Sequence, residues 1–296
     1  MATFAKSSFS AAGYAAFRPL YPSSLYRTIL SYHQGSRNVA VDLGCGHGVV
    51  SRALAPSFVQ VIGMDPSSVM VTQAQAMTKE ENATFRSGSA EDLDFIPDGE
   101  LDMIVAGQAA HWFNYTKVWP AISRKLRKGG TVAFFGYKDN LLVDYPRATK
   151  VFDHYCYGPT KDTMGPYWEM PGRGILRDRY RSIVPPEDQF QDVQRLEYEP
   201  DVRGPNSGTL GERLMFKRVK LGELEGYVRT FSSYHAWQLD NPDRQSRANG
   251  GQGDIVDIMF DKMIEVEPEW KQAGENWRDV EVEIEWGSVI LLSRKN

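Results

Sequence analysis

Between residues 39 and 137, short apolar runs alternate with stretches that repeat apolar residues at helical spacing. The runs occupy 39–41, 59–65, 83–88, 101–107 and 131–137, and each has strand length. The run 101–107 is apolar at nearly every position, as a strand buried on both faces is. Residues 49–54, 67–79 and 118–126 read as the intervening helices. Arg127, Lys128, Gly129 and Gly130 close the last one with the basic residues and glycine that a helix C-terminus favours. Upstream, 23–33 reads as a helix with Ser23 or Ser24 as N-cap and Gly35 beyond its end. This alternation predicts an α/β, doubly wound (Rossmann-like) parallel sheet with helices on both faces.

The rhythm breaks at Lys138. Residues 145–157 read as a helix. Residues 165–174 are too apolar for a linker and too rich in glycine and proline for a regular element, so they read as part of an inserted cap. Residues 190–199 read as a strand, 203–211 as a polar loop, and 221–237 as one strong helix. At helical spacing Tyr227, Thr230 and Tyr234 share one face of it, and Val228, Phe231 and His235 another. A polar loop at 241–253, an amphipathic helix at 254–266 and strand-like runs at 280–286 and 289–293 complete the chain. The expected organisation is a flap and helix at 1–37, a core at 38–137, a cap with a partial sheet contribution at 138–250, and closing elements at 251–296.

Composition narrows the class. With 42% hydrophobic and 24% charged residues the chain reads as globular. The net charge of -4 has both signs interspersed and no basic tract, which argues against a nucleic-acid or membrane partner. Two cysteines, Cys45 and Cys156, fit a reducing, cytoplasmic setting rather than a disulfide framework. No apolar leader or run of spanning length is evident, and no metal-ligand spacing stands out.

The chemistry centres on Asp42-Leu43-Gly44-Cys45-Gly46-His47-Gly48, where the first strand runs through glycines into a helix. Glycines there allow a sharp turn and close approach of a flat ligand. A nicotinamide dinucleotide would favour G-x-G-x-x-G; here the spacing is G-x-G-x-G with an acid before it. Asp42 suits the ammonium of S-adenosylmethionine. Asp65, at the end of the second strand, suits ribose hydroxyls. Ala90, Glu91 and Asp92 follow the third strand, where an acid and an amide can read adenine. Past the fourth strand, Gln108, Ala109, His111 and Trp112 fall at the crevice of an open parallel sheet. Near the N-terminus Tyr14, Phe17, Arg18 and Tyr21 form an aromatic and basic cluster, expected to act as a flap.

These residues resemble class I S-adenosylmethionine-dependent methyltransferases. More narrowly, F-R-P-L-Y-P at 17–22, A-H-W-F at 110–113, G-P-Y-W-E-M-P-G-R at 165–173 and Y-V-R-T-F-S-S-Y-H at 227–235 are similar to the fungal trans-aconitate 3-methyltransferase group, which includes cantharidin methyltransferase. The resemblance spans essentially the whole chain. It implies a seven-stranded, mostly parallel sheet with a cap, and methyl transfer to a carboxylate oxygen of a small acid. The cofactor-binding residues so expected are Tyr14, Asp42, Gly44, Cys45, Gly46, Asp65, Pro66, Ala90, Glu91, Gln108 and Ala109. His111, Trp112, Arg18, Arg173, Arg229 and Tyr234 are expected at the acceptor, the arginines as anchors for its carboxylates. His47 stands where the group has proline, Phe135 where it has tryptophan and Met170 where it has glutamine. A carboxylate is ionised at neutral pH and needs no base; a phenol or alcohol acceptor would call on His111 or His235. A binding protein of this fold without transferase activity is the remaining alternative. The expected assembly is a monomer or homodimer.

Overall fold

The computed structural model describes residues 19–296. Its strands are β1 (Val39–Leu43), β2 (Gln60–Asp65), β3 (Ala83–Ser87), β4 (Leu101–Gly107), β5 (Leu126–Leu142), β6 (Phe190–Tyr198), β7 (Phe216–Lys220) and β8 (Glu281–Lys295). They form one sheet in the order β3-β2-β1-β4-β5-β8-β6, with β7 also paired to β8. The first five strands pair in parallel, and β8 runs antiparallel to β5, β6 and β7. The eighth strand, beyond the seven expected, is β7. Its Phe-Lys-Arg-Val-Lys sequence reads as polar surface, and it forms only because β8 is long enough to pair with it.

Period-two alternation splits the sheet between two cores. Val41, Ile104, Val132, Phe134 and Leu291 face one, and Ala40, Val105, Ala133, Phe135 and Ile290 face the other. Helices α1 (Ser23–Tyr32) and α2 (Val49–Leu54) cover the second face. α1 does so through Leu25 and Ile29, one helical turn apart. Its N-cap is Pro22 rather than Ser23 or Ser24. α3 (Ser68–Met77) is capped by Ser67, and α4 (Tyr115–Lys125) by Asn114. The basic pair closing α4 is Arg124 and Lys125; Arg127 to Gly130 already belong to β5, because the chain turns extended at Leu126.

A third core is separate from these two. It gathers α5 (Pro146–Tyr157), α7 (Leu221–Val228), α8 (Ser232–Asp240) and α9 (Ile255–Val266) around Tyr137, Leu142, Ile284 and Trp286. Those four residues lie on β5 and β8, so both strands run on from the parallel sheet beneath these helices. β5 passes residue 137 without a break, and the register shifts between Tyr137 and Asn140. The two apolar runs at the chain's end likewise form one strand, β8. The single helix expected at 221–237 is two helices. Thr230 donates both its amide (2.9 Å) and its hydroxyl (2.6 Å) to the Tyr227 carbonyl, which ends the first helix early. α6 (Gly172–Arg177) lies against the turn at Ala110–Trp112. Among the described residues, no helix is long and apolar enough to cross a membrane.

Candidate functional site

A cavity of about 390 Å³ opens above the C-terminal ends of β1, β2, β3 and β4 and beside Tyr137 of β5. The glycine turn after β1 forms its floor. Gly44, Gly46 and Gly48 have φ of 70°, 53° and 85°, the left-handed region that glycine tolerates. Gly44 is also sterically fixed, since a Cβ there would lie 2.4 Å from Ala109 Cβ, whereas one on Gly46 would meet open space. The turn is tied to β2 by the Gly44 and Cys45 amides, which donate to Met64 O at 2.7 and 3.0 Å.

Two acids lie at this floor. Asp65 accepts from the Gly46 amide through Oδ2 (2.9 Å) and from the Ser67 amide through Oδ1 (2.8 Å). Burial raises its pKa, against those two bonds. Each oxygen keeps a lone pair for a further donor. Asp42 is fully buried, and its Oδ2 accepts from Ser51 Oγ at 2.7 Å. Its Oδ1 has no hydrogen-bond partner. Burial pushes the Asp42 carboxyl up to about 7, with repulsion from Asp65 adding and the bonds from Ser51 subtracting. A carboxylate oxygen left without a donor at a cavity wall calls for a cationic or hydrogen-bonding ligand.

The rest of the wall is braced by side chain-to-backbone bonds. Gln108, at φ 57°, donates from Nε2 to Tyr137 O and accepts from Tyr137 N, both at 2.8 Å. Its amide thus extends the β4–β5 ladder. Glu91 accepts from the Asn114 amide at 2.8 Å and from Ser89 Oγ. Burial would raise its pKa, but these bonds outweigh it and hold the carboxyl below its ordinary value. Cys45 is buried in the turn, and burial pushes its thiol up and keeps it protonated.

The cavity brings together Asp42, Gly44, Cys45, Gly46, Asp65, Pro66, Ala90, Glu91, Gln108, Ala109 and Trp112 of the expected residues. Tyr14, Phe17 and Arg18 of the expected flap lie outside the described residues. His111 is not on the wall. It is buried, with Nδ1 3.4 Å from Tyr180 Oη, and burial together with the charge of Arg173 lowers its pKa to about 3. Arg173 is also off the wall. It pairs with Asp139, donates to Tyr157 Oη at 3.0 Å, and stands 4.1 Å from the Trp168 ring centroid. Arg177 meets the other oxygen of Asp139 at 2.7 Å, and Arg173 Nε has no hydrogen-bond partner.

Arg229 and Tyr234 go elsewhere. Arg229 bonds Asp254 (2.5 Å), Asp257 (2.9 Å) and Glu225 (3.1 Å), and Tyr234 Oη donates to Asp254 at 2.6 Å. This cluster joins α7, α8 and α9. Sequence reasoning missed His47, Ser67, Met70, Ser89 and Phe113, which also line the cavity. Only their closeness to the expected residues could have found them. Tyr21, noted in the N-terminal cluster, lines the cavity too, edge-on to Phe135 at 4.8 Å.

Residues 41–134 match a family model described as a methyltransferase domain. Over an alignment 305 positions long, gaps included, the chain is 32% identical to a probable S-adenosylmethionine-dependent methyltransferase of Saccharomyces cerevisiae, covering 99% of this chain and 98% of that one. It is 38% identical to a methyltransferase of Aspergillus terreus over 40% of this chain and 39% of that protein. Among solved structures it resembles a candidate type II methyltransferase of Anaeromyxobacter dehalogenans, with a TM-score of 0.67, 24% identity, and coverage of 94% of this chain and 98% of that one.

Proposed function

Because the chain belongs to the class I S-adenosylmethionine-dependent methyltransferases, we propose that its methyl acceptor is a carboxylate oxygen of a small organic acid. S-adenosylmethionine is the cofactor, and the cavity floor fits it: the unpartnered Asp42 Oδ1 suits the amino-acid ammonium, and Asp65 has lone pairs for the ribose hydroxyls. When bound, the cofactor supplies a methyl group already activated by its sulfonium. The protein's task is then alignment and exclusion of water. In this reading Asp42 and Asp65 hold the cofactor, Trp112, Tyr21 and Tyr137 wall the reacting space, and residues 138–250 act as the cap.

The observation that carries the acid reading is the state of His111. It is buried off the wall, with a pKa of about 3, so it is a poor proton acceptor for a phenol or alcohol. A carboxylate needs none. Arg173 adds support, because it shares the Asp139 carboxylate with Arg177 and keeps an Nε without a hydrogen-bond partner. Arg229 is paired with three acids, so in this reading the anchoring role falls to Arg173 and to Arg18, which lies outside the described residues. A phenol or alcohol acceptor is the second reading. His47, which does reach the wall, favours it, although burial and Arg52 depress its basicity as well.

Labelled S-adenosylmethionine offered to a panel of di- and tricarboxylic acids and phenols tests the proposal. Base-labile labelled product marks an ester. Label stable to base marks an ether, amine or carbon acceptor and defeats the acid reading.

A further inference from the structure

Trp112 is the one expected acceptor-side residue on the cavity wall among the described residues, and it stays 42% exposed. Its indole has a built seat. On one side stands His111, with ring centroids 4.7 Å apart. On the other is the backbone of Gly172, the first residue of α6, which is itself buried. A Cβ on Gly172 would lie 2.7, 2.9 and 3.2 Å from Cζ3, Cε3 and Cη2 of that indole. Real side chains essentially never pack so closely, so any residue but glycine at 172 must move the ring.

The cap side is tied down at α6. α6 is held to β5 by Arg173 and Arg177, both bonded to Asp139. The Trp112 backbone is held by its amide bond to Ala109 O at 3.0 Å. Because the indole forms part of the cavity wall, any displacement of it reshapes the space the cavity offers. Helix propensity favours Ala over Gly in a helix, so the preference for glycine here comes from the contact and not from the backbone.

We propose that Gly172 is a specificity-determining residue, which, by lacking a side chain, seats Trp112 against the cap and so sets the size of acceptor the cavity admits. This rests on the acid-acceptor reading only for the kind of molecule admitted. The seat itself is independent of it.

The test uses the full chain with Gly172→Ala, Trp112→Phe and the double variant, assayed with labelled S-adenosylmethionine over straight-chain acids from acetate to octanoate. In Gly172→Ala the longest acids methylated by the wild type lose about tenfold or more in kcat/KM, and the shortest keep theirs. In the Trp112→Phe background, which removes the clashing ring atoms, the alanine has little further effect. A crystal structure of Gly172→Ala shows the indole turned out of its seat. An indole still in place, or an equal effect of the alanine in both backgrounds, overturns the proposal. If the wild type binds S-adenosylhomocysteine but methylates no acid, the acid reading fails, and the indole's position in that crystal still decides the seat. If Gly172→Ala alone does not fold, folding of the double variant supports the seat, and failure of both overturns it.

Discussion

Replacing Asp42 with asparagine separates stability from cofactor binding and drives them in opposite directions. The group is wholly buried, and burial lifts its carboxyl from 3.8 to about 7. A raised acid pKa stabilises the fold only while the group is protonated. That contribution is complete below the unfolded value and is lost as pH rises through the folded one. Between pH 3.8 and about 7 the native state therefore binds more protons than the unfolded state, and stability falls as pH rises. A shift of about 3 units corresponds to roughly 4 kcal/mol of strain in the ligand-free protein above pH 7. Asn removes the charge and keeps an oxygen to accept from Ser51. Asp42→Asn should thus raise the ligand-free protein's stability by up to about 4 kcal/mol at pH 8, with the gain shrinking to nothing near pH 4. Cofactor affinity should fall, because the ammonium loses a buried partner worth about 2–5 kcal/mol, roughly 30-fold or more. In the wild type, S-adenosylhomocysteine should bind about tenfold more weakly for each pH unit below 7, and the variant should lose that slope. Urea melts and calorimetric titrations from pH 5 to 8.5 read both effects. A variant no more stable than wild type at pH 8, or one that binds as tightly with the same pH slope, would refute the assignment.

Arg229→Ala should cost about 3–5 kcal/mol, since Asp254 and Asp257 are left buried without their cation while Glu225 keeps Arg278; a fall in urea midpoint with unchanged cofactor affinity per folded molecule would show the role is structural. Gly44→Ala should abolish measurable S-adenosylhomocysteine binding by calorimetry, because φ of 70° and a Cβ 2.4 Å from Ala109 both force the turn to move; retained binding would mean the turn's shape is not what the ligand reads. His111 stays neutral across pH 5–9, so His111→Gln should leave the shape of the kcat profile over that range unaltered, and loss of an inflection in the variant would contradict its assigned state.

What the chain's pattern made legible was whatever is local. Asp42, the three glycines and Asp65 lie at strand ends, where period and turn chemistry fix position, and the cavity gathers them. Arg173 and Arg229 look alike in sequence, each an arginine among aromatics. Which acid each one meets depends on residues 34 positions upstream for Asp139 and 28 downstream for Asp257, and no local spacing carries that. The division at Thr230 was hidden for a different reason. Its hydroxyl competes with the helix only in the folded geometry, where the Tyr227 carbonyl is at hand. The length of β5 was hidden by Lys138 and Asp139, a polar pair that reads as a loop and is in fact an irregularity inside a strand.

That irregularity decides how the enzyme can be taken apart. Since β5 and β8 each continue from the Rossmann layer into the floor beneath the helices, no peptide joint exists there at which the lid could swing as a free body. Excising residues 138–250 would cut β5 in mid-strand and leave β8 paired only with the half of β5 before Lys138, without β6 or β7. Swapping lids between relatives to change the acceptor would therefore require grafting both strand halves together with the helices, spliced on the core side of Tyr137 and of its cross-strand partner Ser288.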